Sequence, residues 1–270
     1  MKRARVGIGE ERLALLERLH RAAKGPFTAH DAASFLALPV DKVRLLLRDL
    51  ARAGWLVRVR RGLYGLVPLG ATSPKEWRED PWSIAAKLWD PCYIGGWTAL
   101  EHWHLTEQHF RDVVVFTARS VRSTNPEVQG VRYRIRRVKK SMLFGTRNAW
   151  REQTRVNVSD PTRTLIDVLS EPALGGGIQH VSECVVAYME SEHRSTDLLI
   201  EYGRKAANRA LFKRLGYILE TVGMEADLVE RCRGEISAGI SSLDPAAKAR
   251  GTTLRRWNLR VNARVPGSGQ

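Results

Sequence analysis

Arg44, Arg48 and Arg52 recur at every fourth position within VDKVRLLLRDLARAGWLVRVRRGLYGLV, residues 40–67. At about 100° per residue they line one flank of a helix, and guanidiniums aligned in this way suit phosphate oxygens and guanine edges. Lys42 adds a further cation at the start of the same helix. Val43, Leu46, Leu47 and Leu50 fall at i, i+3, i+4 and i+7, which gives the helix an apolar stripe to bury. Leu45 faces away from that stripe, where it can meet thymine methyl groups or a partner surface. Gly54 stops the helix, Trp55 to Val59 alternates as a strand does, and Arg60, Arg61 and Gly62 turn the chain into Leu63 to Val67. A helix followed by a hairpin bearing Arg58, Arg60 and Arg61 is the pattern of a winged helix-turn-helix, whose chemistry is DNA binding.

Other groupings could do chemistry. Glu101, His102, His104 and His109 contain two metal-ligand types, but His102 and His104 are two residues apart and so lie on different sides of a helix. A metal site needs three or four convergent groups, and a solvated helix end is the expectation. A nuclease needs carboxylates clustered about a divalent ion, whereas Asp112, Glu127 and Asp160 are scattered along the chain. Gly175 to Gly177 has neither GxGxxG spacing nor a following Lys-Ser/Thr, so it reads as a turn between helices. In VRYRIRRVKK, residues 131–140, Val131, Tyr133 and Ile135 alternate with Arg132, Arg134 and Arg136, and Arg137, Lys139 and Lys140 extend the charge. Both a half-buried strand with a solvated face and a second phosphate-binding surface fit this pattern.

The elements that must position these residues are legible in turn. Leu13, Leu16, Leu19 and Ala23 give a first helix over residues 10–23, stopped at Lys24, Gly25 and Pro26. Thr28 and Asp31 form an [ST]-x-x-[DE] box that makes Thr28 the N-cap of a short second helix; Thr28 also stands among the candidate DNA-binding residues. Leu38 and Pro39 end that helix just before the basic one, which is helix-turn-helix grammar. Pro68 to Pro81 is rich in proline and turn formers, so residues 71–80 read as a linker. Beyond it, Asp80-Pro81 and Asp160-Pro161 each pair an N-cap with proline at the first helical position. Strands are expected at Cys92–Gly95, Val113–Thr117, Val131–Val138 and Thr154–Val158. Helices are expected at 97–103, 161–169, 178–190, 198–207, 210–222 and 225–236. Residues 254–265, LRRWNLRVNARV, read as a terminal strand, and residues 266–270 as a frayed tail.

Composition narrows the class. The 270 residues, 43% of them hydrophobic, carry a formal charge of +15. Residues 1–70 alone hold fourteen Lys or Arg against six Asp or Glu. A field of that sign concentrates polyanions, nucleic acid above all. No apolar run approaches the roughly 18 residues that cross a bilayer, and the charged N-terminus is not a signal peptide, so a cytoplasmic, nucleoid-associated protein without membrane contact is expected. Cys92, Cys184 and Cys232 are odd in number and widely spaced, as structural thiols are.

The order RRGLYGLVP, DPWSIAAKLWDPCYIGGWTALEHWHLTEQ, VSDPTRTLIDVL, RKAANRALFKRLGYILETVG, a late LDP and RWNLRVN resembles the AbiEi family, the antitoxins and transcriptional repressors of type IV toxin–antitoxin systems. The likeness spans residues 10–263, with the Gly175 to Gly177 insert and the basic strand as departures. It implies a repressor of its own operon that binds promoter inverted repeats as double-stranded DNA. It also implies a nucleotidyltransferase toxin as functional partner, with direct contact left open, and self-association on DNA. No catalytic residue, cofactor or metal is implied. The fold expected is α+β: an N-terminal winged helix-turn-helix over 1–70, then a larger mixed α/β C-terminal domain over 81–265. Two alternatives stand beside it, a nuclease-like domain delivered by the winged helix and an effector-responsive repressor unrelated to a toxin.

Overall fold

The computed structural model describes residues 8–68, 70–71, 76–248 and 250–265; the expected tail at 266–270 and the middle of the linker lie outside them. The chain opens with α1 (Glu10–Ala22), β1 (Phe27–Thr28), α2 (Ala29–Leu36), α3 (Val40–Arg52), β2 (Leu56–Arg60) and β3 (Leu63–Leu66). The Thr28 hydroxyl accepts from the Asp31 amide at 3.2 Å while the Asp31 carboxylate accepts from the Thr28 amide at 2.7 Å, closing the capping box at the start of α2. Ala37, left-handed at φ 52°, ends that helix and turns the chain into α3. Leu16, Leu19, Phe27, Leu36, Val43, Leu47, Leu50 and Leu56 form a core of their own for this unit. The short β1, which lacks any alternation to announce it, pairs antiparallel with β3.

The rest is built from α4 (Pro81–Trp89), β4 (Cys92–Ile94), α5 (Gly96–His102), β5 (Val113–Thr117), β6 (Glu127–Val128), β7 (Val131–Arg137), β8 (Thr146–Arg151) and β9 (Thr154–Ser159), followed by α6 (Pro161–Ser170), α7 (Ile178–Glu190), α8 (Thr196–Ala206), α9 (Ala210–Val222) and α10 (Ala226–Gly234). The six strands form one mixed sheet in the order β6-β7-β5-β4-β9-β8. One face, with Ile94, Val113, Val115, Tyr133, Ile135, Val156 and Val158, packs beneath α4. The other carries Tyr93, Val114 and Phe116 under Trp97. The helices from α6 onward enclose a separate and larger apolar cluster. Both Asp-Pro helix starts form as read: Asp80 accepts from the Ser83 amide and Asp160 from the Arg163 amide.

The edge strand β8 is not among the expected strands, because TRNAWR buries only Ala149 and so shows no hydrophobic alternation. Residues 254–265 are not one strand: β10 (Ser241–Ser242), β11 (Thr252–Leu254) and β12 (Leu259–Val261) make a small sheet, with a turn of 3-10 helix at Arg255–Trp257 between the last two. The cause is Trp257. Its indole lies against Gly216 of α9, where any Cβ would collide with the ring, and its Nε1 donates to Glu220 at 2.6 Å. The chain must break the strand to insert it, and Asn258 in the left-handed region reverses direction afterwards.

The segment read as a linker is packed where it is described. Glu79 is only 8% exposed and lies over Gly65 of β3, beside Trp77, with its amide donating to Gln129 at 3.0 Å. Burial pushes its carboxyl up to about 7; the Asp80 amide opposes this, and the charges of Glu152 and Asp80 add to it. A carboxyl raised in the fold contributes most stability below its unfolded value near 4.5 and loses that contribution as pH rises through about 7. Relative to wild type, Glu79→Gln is therefore expected to gain roughly 1–3 kcal/mol at pH 8 and little at pH 4.5, read as urea midpoints at the two pH values.

Candidate nucleic-acid interface

Helix α3 presents its cations to solvent because its stripe is taken up by the core. Val43, Leu47 and Leu50 are buried, Leu46 is half-buried, and Lys42, Arg44, Arg48 and Arg52 are exposed. Leu45 stands among them, 53% exposed. Arg44 contacts Asp41 at 2.9 Å, and Arg48 lies 3.5 Å from Asp49, which also meets Arg12 of α1 at 3.6 Å. Exposed pairs of this kind contribute about 0–1 kcal/mol, so a phosphate can displace the carboxylates. Arg12 had no periodic partner to mark it in the sequence; only the packing of α1 against the rest of the unit brings it beside α3.

The wing has two unlike faces. Arg58, Arg60 and Arg61 are exposed, with a register shift between Arg58 and Arg60 and Gly62 at φ +80° making the turn. Val59 and Leu63, by contrast, are buried in the same apolar cluster as Trp82 and Ile84 of α4. The back of the wing is thus seated on the second part of the chain. Thr28 lies at the start of α2, where its hydroxyl serves Asp31, accepting from the amide and donating to the carboxylate at 2.8 Å.

The basic strand is divided by its partners. Tyr133 and Ile135 are buried, as alternation requires, but Arg134 pairs with Asp112 and Arg136 with Glu171, each at 2.9 Å. Arg132, Arg137, Lys139 and Lys140 remain exposed, and the last three line a cavity of about 520 Å³ with Pro91 and Ala118. The carboxylates weighed for a nuclease have separate tasks: Asp112 holds Arg134, Asp160 caps α6, and Glu127 sits exposed on β6. Glu101 accepts from His109 across 2.7 Å. His102 does not lie on a solvated face; its half-buried ring meets Trp82 edge-on, and burial lowers its pKa, helped by the charges of Arg151 and His104. Among the described residues no three His, Cys, Asp or Glu side chains are grouped to hold a metal, and no helix is long and apolar enough to cross a membrane.

Residues 14–67, which span the three helices and the wing, match the profile of the family described as transcriptional regulator, AbiEi antitoxin. Over these residues the chain is similar to that family. The match takes in α3 and the wing hairpin and begins within α1. No curated protein matches the chain. Over nearly its whole length the fold is similar to the crystal structure of the RV2827C protein from Mycobacterium tuberculosis, with a TM-score of 0.59 and 17% identity, covering 94% of this chain and 92% of that one. At that identity it is the fold that is shared. A winged helix similar to that of the AbiEi regulators, followed by a larger α/β body, is therefore the architecture, and the matched family is one of transcriptional regulators.

Proposed function

We propose that this chain is the antitoxin of a type IV toxin–antitoxin system, which represses its own operon and counteracts a nucleotidyltransferase toxin. The observation that carries the proposal is the AbiEi match over 14–67 falling on a helix and wing whose cations are exposed. Residues 1–70 act as the DNA-binding unit and 81–265 as the antitoxin domain, in the cytoplasm. Helix α3 lies in the major groove with Lys42, Arg44, Leu45 and Arg48 toward the bases and Arg52 toward the backbone, while Arg58, Arg60 and Arg61 hold the flanking phosphates or the minor groove. Thr28 contributes by fixing the start of α2 at the edge of the groove. Arg132, Arg137, Lys139 and Lys140 offer a further phosphate surface to DNA on which several copies assemble.

Two measurements test this together. Footprinting of the DNA upstream of the gene is expected to show paired, inverted protected sites, and co-expression is expected to restore growth to cells producing the nucleotidyltransferase encoded beside it. Protection that is uniform along the DNA would remove the repressor role; continued growth arrest with the antitoxin abundant and folded would remove the other.

A further inference from the structure

A cavity of about 550 Å³ lies where the helix-turn-helix unit meets the second part of the chain. Phe27 and Phe35 wall it from one side, Ala86 of α4 from another, and Trp150 stands at its mouth with 68% of its surface exposed. An indole left this open on an edge strand is unusual, because Trp buries more apolar area than nearly any other side chain. Lys24, Lys87 and Arg155 also line the cavity. Lys87 pairs with Asp31 at 2.7 Å, an ion pair that joins α4 to the capping box of α2. Lys24 and Arg155 have no carboxylate partner among the described residues. The Thr154 hydroxyl donates to the Lys24 carbonyl, and both residues also line a neighbouring space of about 270 Å³.

We infer that this cleft is a binding site for a small aromatic anion, a planar ring system bearing a carboxylate or a comparable single charge. Concave sites at domain junctions, mostly apolar with a few convergent polar groups and of about 300–1,000 Å³, are where small molecules bind. The ring stacks on Trp150 and against Phe35; the anion meets Lys24 and Arg155. Both cations are without an ion-pair partner among the described residues, and they outnumber the single lining carboxylate in that position, Asp90, since Asp31 is held by Lys87. The site couples to the DNA-binding unit through Lys87: a bound anion competes with Asp31 for that ammonium and loosens the cap of α2. That regulatory consequence rests on the proposed DNA-binding role, but the binding itself does not.

The test uses the full chain without DNA. Calorimetry with 1-naphthoate is expected to show one site, with the neutral analogue 1-naphthalenemethanol bound at least about tenfold more weakly. Trp150→Ala and Arg155→Ala are each expected to weaken naphthoate about tenfold; both side chains are exposed, so circular dichroism should be unchanged. Amide exchange at residues 29–33 is expected to quicken when the site is filled. Absence of naphthoate binding at millimolar concentration, equal affinity for the alcohol, or undiminished binding by both variants overturns the site. Binding with unchanged exchange at 29–33 overturns the coupling. Failure of the footprint would leave these readings untouched.

Discussion

Replacing Arg44 and Arg48 together with Ala is expected to lower affinity for the upstream repeats by roughly 10²–10⁴-fold, since each lost base or phosphate contact costs about 1–3 kcal/mol. The fold should not notice. Both side chains are more than half exposed, 59% and 52%, and their carboxylate partners are surface ones. Alanine is also the best helix former, so the melting transition should stay within the range of ordinary surface substitutions, about ±0.5 kcal/mol. Gel shift and circular dichroism on the same sample separate the two effects. Specific binding that survives in the double variant would move recognition away from α3.

The second large effect lies far from the proposed interface. Arg163 of α6 is 2% exposed; its Nε donates to Asp167 at 3.0 Å and its Nη2 to the Tyr93 hydroxyl at 2.9 Å, while that hydroxyl donates to the other Asp167 oxygen at 3.0 Å. The guanidinium stacks 4.1 Å from the Phe144 ring. Burial holds the Asp167 carboxyl above its ordinary range even though the Arg163 charge and the Tyr93 hydroxyl draw it down. Arg163→Met removes the counter-charge and strands the carboxylate in the interior, where breaking a buried pair costs about 3–5 kcal/mol. That is a large share of the 5–15 kcal/mol typical of a domain. Urea unfolding should show it as a lowered midpoint. The double replacement Arg163→Met with Asp167→Leu should recover much of the loss, because two apolar groups leave no orphaned charge. A double variant as unstable as the single one would place the cost in lost packing against Phe144.

How much of this could be read in the chain depended on whether the signal was local. The capping box at Thr28 and Asp31, the stripe of α3, Gly54 after it and both Asp-Pro helix starts are set by residues within a turn of one another, and all formed where expected. Long-range demands were silent. Nothing local to Trp257 tells that Gly216, some forty positions earlier, leaves room for its ring, so the sequence of residues 254–265 carries no sign of the break in the strand. Edge position hid β8, since a strand with one buried side chain has no period to detect. For the interface, exposure of the α3 cations followed from the stripe opposite them. The seating of Val59 and Leu63 on α4 did not, and neither did the cleft, because both belong to contacts between segments. The basic run at 131–140 shows the same limit: alternation placed its arginines on one face, but only the fold brought Asp112 and Glu171 to two of them.

The central claim, that the exposed cations of α3 and the wing meet DNA phosphates, is tested most directly by titrating salt against affinity for the upstream DNA with the wild-type chain. If six to ten phosphates are neutralised, affinity falls by about 10³–10⁵ between 50 and 200 mM salt, with a log–log slope near −0.9 per phosphate. A response that is flat across that range would contradict the account.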